Sequence, residues 1–289
     1  MSSKPSATGC RNVTGLPEPV LRHRGRWPPP PGARVAMVGS RHPTPYGEAA
    51  AERLAGDLAA AGVVIVSGLA RGIDTAAHRG ALAGDGVTVA VLGTGVDVIY
   101  PAENAALASE IIARGGALVS EFADGTPPRR GHFPRRNWTM AFISDVVLVV
   151  EAGESSGALI TAEAALSLGR DVLAVPGSIF SPLSVGSHQL LRDGAGLVQN
   201  SRDVLAVLGA TQEVLDDPAR PPSRLMSTAR SGRDGLLAHL SDTLPVSAAT
   251  LANKLGLGFA ETLARLTALE LGGSVRRRNE GYIRQPGRE

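Results

Sequence analysis

Six short apolar runs recur between residues 35 and 175, none broken by a charge: VAMV (35–38), VVIV (63–66), VTVAVL (87–92), ALVS (117–120), VVLVV (146–150) and VLAV (172–175). They are rich in β-branched residues and do not alternate with polar positions, the pattern of strands buried on both faces. Between them lie alanine-rich stretches with helical spacing: GEAAAERLAGDLAAAG, DTAAHRGALAG, ENAALASEIIARGG, RNWTMAFIS and GALITAEAALSLG. Strands alternating with helices predict an α/β fold, a doubly wound parallel sheet over residues 34–209. Residues 1–33 end in WPPPPG, which excludes helix, and predict an extended lead-in. Residues 210–233 are rich in Pro and Arg and predict a linker. From 234 to 289, three short helical patterns (GLLAHLSD, SAATLANKLG and FAETLARLTALELGG) precede SVRRRNEGYIRQ, two strands about a turn at 279–281. That succession predicts a small winged-helix-like domain.

Composition narrows the classes. With 43% hydrophobic and 19% charged residues, the chain has the profile of a folded protein. The single cysteine, Cys10, excludes an intrachain disulfide and a cysteine-rich zinc site, and fits a reducing cytoplasm. No apolar run approaches the ~18 residues of a membrane span, and the first residues lack the apolar core of a secretory signal. The net charge of only +2 conceals clusters of arginine. Arg22, Arg24, Arg26 and Arg34 crowd the start; Arg220, Arg224, Arg230 and Arg233 crowd the linker; Arg276, Arg277 and Arg278 form a triplet. Local basic patches on a near-neutral chain suit a polyanionic partner.

In an open α/β sheet the ligand lies beyond the carboxyl ends of the strands. Those ends read GSRHPTPYG (39–47), SGLARGID (67–74), GTGVDVIYP (93–101), SEFADG (120–125), EAGESSG (151–157) and PGS (176–178). Glycine with serine or threonine recurs in most of them, supplying exposed N–H groups and short hydroxyls suited to phosphate. Arg41 and Arg71 add charged donors. The dinucleotide fingerprint and the NTPase P-loop are both missing. Asp74 and His78 share a helix face at i,i+4, but Asp74 reads as the helix N-cap and His78 as a surface or packing residue, so no metal site is expected. PPRRGHFPRRNW (127–138) places Phe133 and Trp138 among arginines, before a helix. Such a stretch suits a strand whose backbone is tracked by arginine and whose bases stack on aromatic faces. GESSG (153–157) satisfies G-x-S-x-G, with Ser155 as a nucleophile that Asp193 and His239 would complete, but no oxyanion loop follows an early strand. Ser155, Ser156, Gly157 and Thr161 read equally as a secondary phosphate loop.

The motifs VGSR, SGLARGIDTAAHRGAL, VLGTGVDVIYP, FPRRN, SGALITAEAAL, GRDVLAVPG and LLRDGAG occur in order over residues 25–209. In them the chain resembles the DprA family of DNA-processing proteins, also called Smf. The resemblance implies a Rossmann-like core that forms a homodimer, binds single-stranded DNA without sequence preference and loads the RecA recombinase in natural transformation. No cofactor and no catalysis are implied. The nucleic-acid contacts would map to Gly39, Ser40 and Arg41, to Ser67, Gly68 and Arg71, and to Phe133, Arg135, Arg136 and Asn137, with Phe133 stacking a base. Two positions depart from the family. Trp138 stands where an arginine is usual, so that either one phosphate contact is lost or Trp138 stacks a base instead, and His188 stands where asparagine is frequent. Phosphoribohydrolases have a related core, and Glu163 occupies a comparable helical place, but their P-G-G-x-G-T signature is missing. In the terminal domain the helix placed to read a duplex offers Arg265 but also Glu261 and Glu270, a poor set for reading duplex sequence.

Overall fold

In the computed structural model, which describes residues 18–209 and then 237, 240–241, 246–248, 250–251, 259–271, 274–278 and 281–285, the six apolar runs form the centre of one sheet. They are β2 (Arg34–Val38), β3 (Val64–Ser67), β4 (Thr88–Val91), β5 (Ala117–Ser120), β6 (Val146–Val149) and β7 (Asp171–Ala174). Two short strands complete the sheet, β1 (Arg22–Gly25) and β8 (Gly196–Leu197), in the order β1-β5-β4-β3-β2-β6-β7-β8. All neighbours are parallel except β1, which runs antiparallel to β5 with Arg22 opposite Ser120. Register is fixed from both sides of β2, since Val35 lies opposite both Ile65 and Val146.

Unbroken apolar runs are needed because each strand buries both faces. Val35, Met37, Ile65, Val146 and Leu148 enter one core layer with α1 (Pro45–Ala60), α2 (Ile73–Ala83) and α7 (Ser201–Val207). Ala36, Val38, Val64, Val66, Val147 and Val149 enter the other with α4 (His132–Phe142) and α5 (Gly157–Ser167). A third cluster seats α3 (Ala105–Ala113) through Leu107, Ala108 and Ile111 against Leu92 and Leu118. Each fully buried Val, Leu or Ile stabilises by roughly 1.5–3 kcal/mol, so the two layers hold the sheet rigid beneath its loops. The last short helix of this unit, α6 (Val185–Arg192), leads into β8.

Residues 1–33 are not merely a lead-in, because β1 within them covers the outer edge of β5. An uncovered edge would leave a row of backbone donors and acceptors unpaired. All four β1 residues are exposed, so no apolar periodicity marks the strand. The chain divides into two compact units, Met1–Leu225 and Met226–Glu289. In the second, α8 (Phe259–Leu271) precedes the antiparallel pair β9 (Val275–Arg278) and β10 (Gly281–Arg284). Leu240, Leu251, Leu266, Val275 and Tyr282 form its core, and Val246 exchanges two backbone hydrogen bonds with Tyr282. The expected linker, most of the first two terminal helices, the turn at 279–280 and His239 lie outside the described residues. Among the described residues no helix is long and apolar enough to cross a membrane.

Candidate nucleic-acid interface

β2 and β6 are neighbours, yet the chain leaves β2 for α1 on one face and β6 for α5 on the other. A crevice opens where such connections diverge. Here it is a cavity of about 480 Å³ lined by, among others, Ser40, Arg41, Asp74, Arg136, Ser156 and Thr161.

Its first wall, residues 39–44, is fastened by a carboxylate that the sequence did not advertise. Buried Glu151 accepts hydrogen bonds from Thr44 N (2.8 Å) and Thr44 Oγ1 (2.7 Å), while its carbonyl accepts from Ser40 N (2.7 Å). Thr44 in turn caps α1 by accepting from Gly47 N. Arg41 is thus presented by a fixed loop. Its guanidinium carbon lies 5.5 Å from the Phe133 ring centroid and makes no ion pair among the described residues.

The second wall is the β3–α2 turn, and it corrects the expectation for Asp74. The N-cap of α2 is Gly72, and Asp74 lies inside the first turn, buried, accepting from Gly68 N (3.1 Å) and Ala70 N (3.3 Å). A carboxylate this deep ties the turn back on itself instead of capping the helix. Leu69 between those amides has φ +59°, a left-handed conformation costly for a bulky residue. Asn104 holds it by donating to Leu69 O (2.9 Å). Ser67 is also structural: its hydroxyl is buried and donates to Met37 O (2.7 Å). Gly68 has no side chain for a steric reason, because a Cβ there would overlap the Arg136 guanidinium.

Arg136 is the charge beneath the cavity. It is buried and donates to Gly68 O, to Val91 O (3.1 Å) and to Asn137 Oδ1 (3.0 Å). Burial pulls its pKa down and the nearby Asp74 carboxylate opposes that. Burial likewise pushes the Asp74 carboxyl up against the pull of Arg136 and the two amides. The FPRRN segment is therefore not a loop before a helix but the first turns of α4. Successive helical residues diverge by about 100°, so the four residues from 135 to 138 cannot all share one surface. Arg136 and Asn137 point inward, and Asn137 donates to Gly157 O (3.0 Å), pinning the α5 entry. Arg135 and Trp138 line a different cavity with Val20 and Arg22. There Arg135 binds Glu121 (2.8 and 3.0 Å) and Trp138 stacks on Phe142 (5.2 Å). Neither side chain joins the crevice.

Phe133 lies over the end of β4, near Gly93, with Tyr100 tilted beside it (5.9 Å). Together with Arg41, Gly68, Arg71 and Arg136 these residues line a smaller cavity of about 140 Å³ next to the first. Arg71 at its rim forms a two-point ion pair with Glu103 (2.6 and 2.9 Å), both half-exposed. Any phosphate reaching Arg71 competes with that carboxylate.

On the far side Ser156 caps α5 by accepting from Ala158 N (3.3 Å), and Ser155 and Gly157 line the large cavity beside it. Thr161 Oγ1 is buried and unpartnered within the same cavity wall. The positive end of the α5 dipole and its open N–H groups favour an anion there. Glu154 is exposed and does not line the cavity. Asp193 and Glu163 belong to a separate cavity, between α5 and α6, so neither faces Ser155. His188, where the family frequently has asparagine, donates from Nε2 to Gly177 O (3.1 Å). His78 is a packing residue, fully buried against Thr88 Oγ1 (2.7 Å). Among the described residues no three His, Cys, Asp or Glu side chains gather as a metal site.

Comparison with known proteins places this geometry. The chain is 41% identical over 256 residues to Protein Smf of Escherichia coli, covering 87% of this chain and 67% of that protein. The structure of DNA processing protein A from Streptococcus pneumoniae superposes with a TM-score of 0.61 at 45% identity, covering 65% of this chain and 66% of that one. DNA processing protein A from Helicobacter pylori, whose structure concerns its single-stranded DNA binding mode, gives a TM-score of 0.63 at 30% identity, covering 72% and 94%. The chain spans about half to two thirds of the length of the curated relatives it matches. The DprA winged helix domain matches residues 218–281, in agreement with the helix and hairpin described above. With residues 7–209 matching its defining domain, the chain belongs to the DNA recombination-mediator protein A family.

Proposed function

We propose that the chain binds single-stranded DNA without sequence preference along the carboxyl edge of its sheet, and passes that strand to the RecA recombinase in transformation. It does so as a cytoplasmic homodimer and as a binding protein, not a catalyst. The observation that carries this reading is the crevice itself: Arg41, the α5 N-terminus and Thr161 converge on one cavity, with Phe133 beside it. Phosphate donors next to an aromatic face suit a polymer of phosphates and bases. Phosphate grips and a stacking face are indifferent to base identity, which suits binding without sequence preference. Ser155 and Asp193 lining separate cavities weighs against a nucleophilic triad. The homologous protein of H. pylori lends support through its own single-stranded DNA binding.

The test is fluorescence anisotropy of a mixed-sequence strand against its duplex across a salt series. Arg41→Ala is expected to weaken all single strands alike and to reduce the slope of log affinity on log salt by about 0.7 for the lost contact. Unchanged affinity and slope in that variant would remove the crevice from the reading. In the same preparation, the protein should speed RecA filament assembly on the strand, and Arg41→Ala should lose that effect.

A further inference from the structure

Beyond the crevice, on the side away from Phe133, the loop after β7 carries the two most exposed apolar side chains among the described residues, Ile179 (82%) and Phe180 (91%). Only five phenylalanines occur in the chain, and leaving one almost wholly in water gives up burial that any packed site would recover. The loop is not loosely held. Tyr46 Oη donates to Pro176 O (2.8 Å), and His188 fixes Gly177. Phe180 N is taken up by Ser178 Oγ (3.2 Å), and Leu183 N by Ser181 Oγ (3.3 Å). Behind the tip, Gly186 N bonds Ala152 O (2.8 Å) and Leu183 forms part of the crevice wall. A braced turn therefore holds an aromatic ring out at the rim of the anion site.

We propose that Phe180 is a second base-stacking platform, which takes a base of the same single strand after its backbone has crossed the crevice. Three observations favour a nucleic-acid base as the occupant. The tip is continuous with the phosphate crevice through Leu183. The segment from 176 to 188 contains no Asp or Glu, so nothing in it repels a phosphodiester chain. Finally, Phe133 sits at the end of β4 and Phe180 beyond the end of β7, four ladder steps apart in the strand order. At about 4.8 Å per step that is roughly 19 Å, a span of several nucleotides. The strand would stack on Phe133, lay phosphates against Arg41 and the α5 N-terminus, and stack again on Phe180.

This inference rests on the proposed single-stranded DNA binding, and its test separates the two. Full-length protein is titrated with a thymidine dinucleotide, too short to span the roughly 19 Å between the rings, and with an oligothymidylate of roughly 16 nucleotides, the upper end of what one binding face covers. Phe180→Ala is expected to weaken the longer strand about fivefold to a hundredfold and leave the shorter one unchanged. Phe180→Tyr should bind like the parent and Phe180→Leu like the alanine variant. Strands carrying 5-iododeoxyuridine should photocrosslink at Phe180. Equal affinity of Phe180→Ala and parent for both lengths overturns the platform, as does full activity of Phe180→Leu. So does a defect confined to RecA filament assembly, which would assign the tip to a protein. Arg41→Ala run alongside reports on the crevice: if it binds both lengths like the parent, the broader reading fails instead.

Discussion

His78 sits without exposure between Thr88 and the field of Arg136, and its charged form is correspondingly excluded. Thr88 spends its one hydroxyl proton on Ile65 O, so the imidazole donates from Nδ1 and keeps Nε2 bare. Burial, then Arg136, lowers its pKa to about 3. Between 6.5 and that value the unfolded chain binds a proton that the folded chain refuses, so stability falls as pH falls through this window and is flat above it. From pH 6.5 to 5 the loss amounts to about 2 kcal/mol. Asp74, pushed up by burial, acts in the opposite sense, so the effect is read as a difference. Urea unfolding of His78→Gln should show a slope against pH smaller by that amount, and an unaltered slope would discount the buried neutral imidazole. The sequence offered His78 as surface or packing and could go no further, because burial is a property of the completed sheet. The arginines are similar. Arg41, Arg71, Arg135 and Arg136 look alike as letters, but helix phase and nearby carboxylates leave Arg41 as the one presented to the crevice without an ion pair among the described residues.

Among the elements, the β3–α2 turn is the most constrained. Gly68 yields its side-chain space to a buried guanidinium, and Gly72 has φ +73° where a Cβ would run into Ser40 O. Gly68→Ala should therefore dislodge Arg136 and leave Asp74 buried without its counter-charge, at a cost of about 3–5 kcal/mol. A fall in the urea midpoint together with weaker strand binding is the expected result; parental stability would mean that the turn relaxes freely. The central strands were legible because burial on both faces writes itself as unbroken β-branched runs. β1 and β8 were not, since both are exposed edge strands with no apolar pattern to read. The start of α4 was missed for another reason. Pro134 and the neighbouring arginines suggest a loop, yet proline is tolerated in the first helical turn, where its missing N–H has no partner to lose. Of the two residues that fasten the site, Glu151 sits in a glycine-rich strand end and Asn104 in an alanine-rich helical stretch. A buried carboxylate that serves loop amides carries no signature of its own.

For the molecule as a whole, the proposed pairing of two copies would place the β8 end of the sheet at the contact. Leu197 (51% exposed), Leu166 (61%) and Val207 (42%) surround a two-residue strand whose outer edge is unpaired within the sheet. Leu197→Asp is expected to shift the protein from dimer to monomer in sedimentation velocity while leaving the folded unit intact, because that side chain is already half in water. A dimer of undiminished strength would move the contact elsewhere. The opposite end of the sheet is finished quite differently, by β1 with Arg22, His23 and Arg24, all exposed. Two copies meeting through their β8 ends would present these basic strands outward, and two such pairs would face each other like charge against like, so that assembly through the sheet would end at a closed pair.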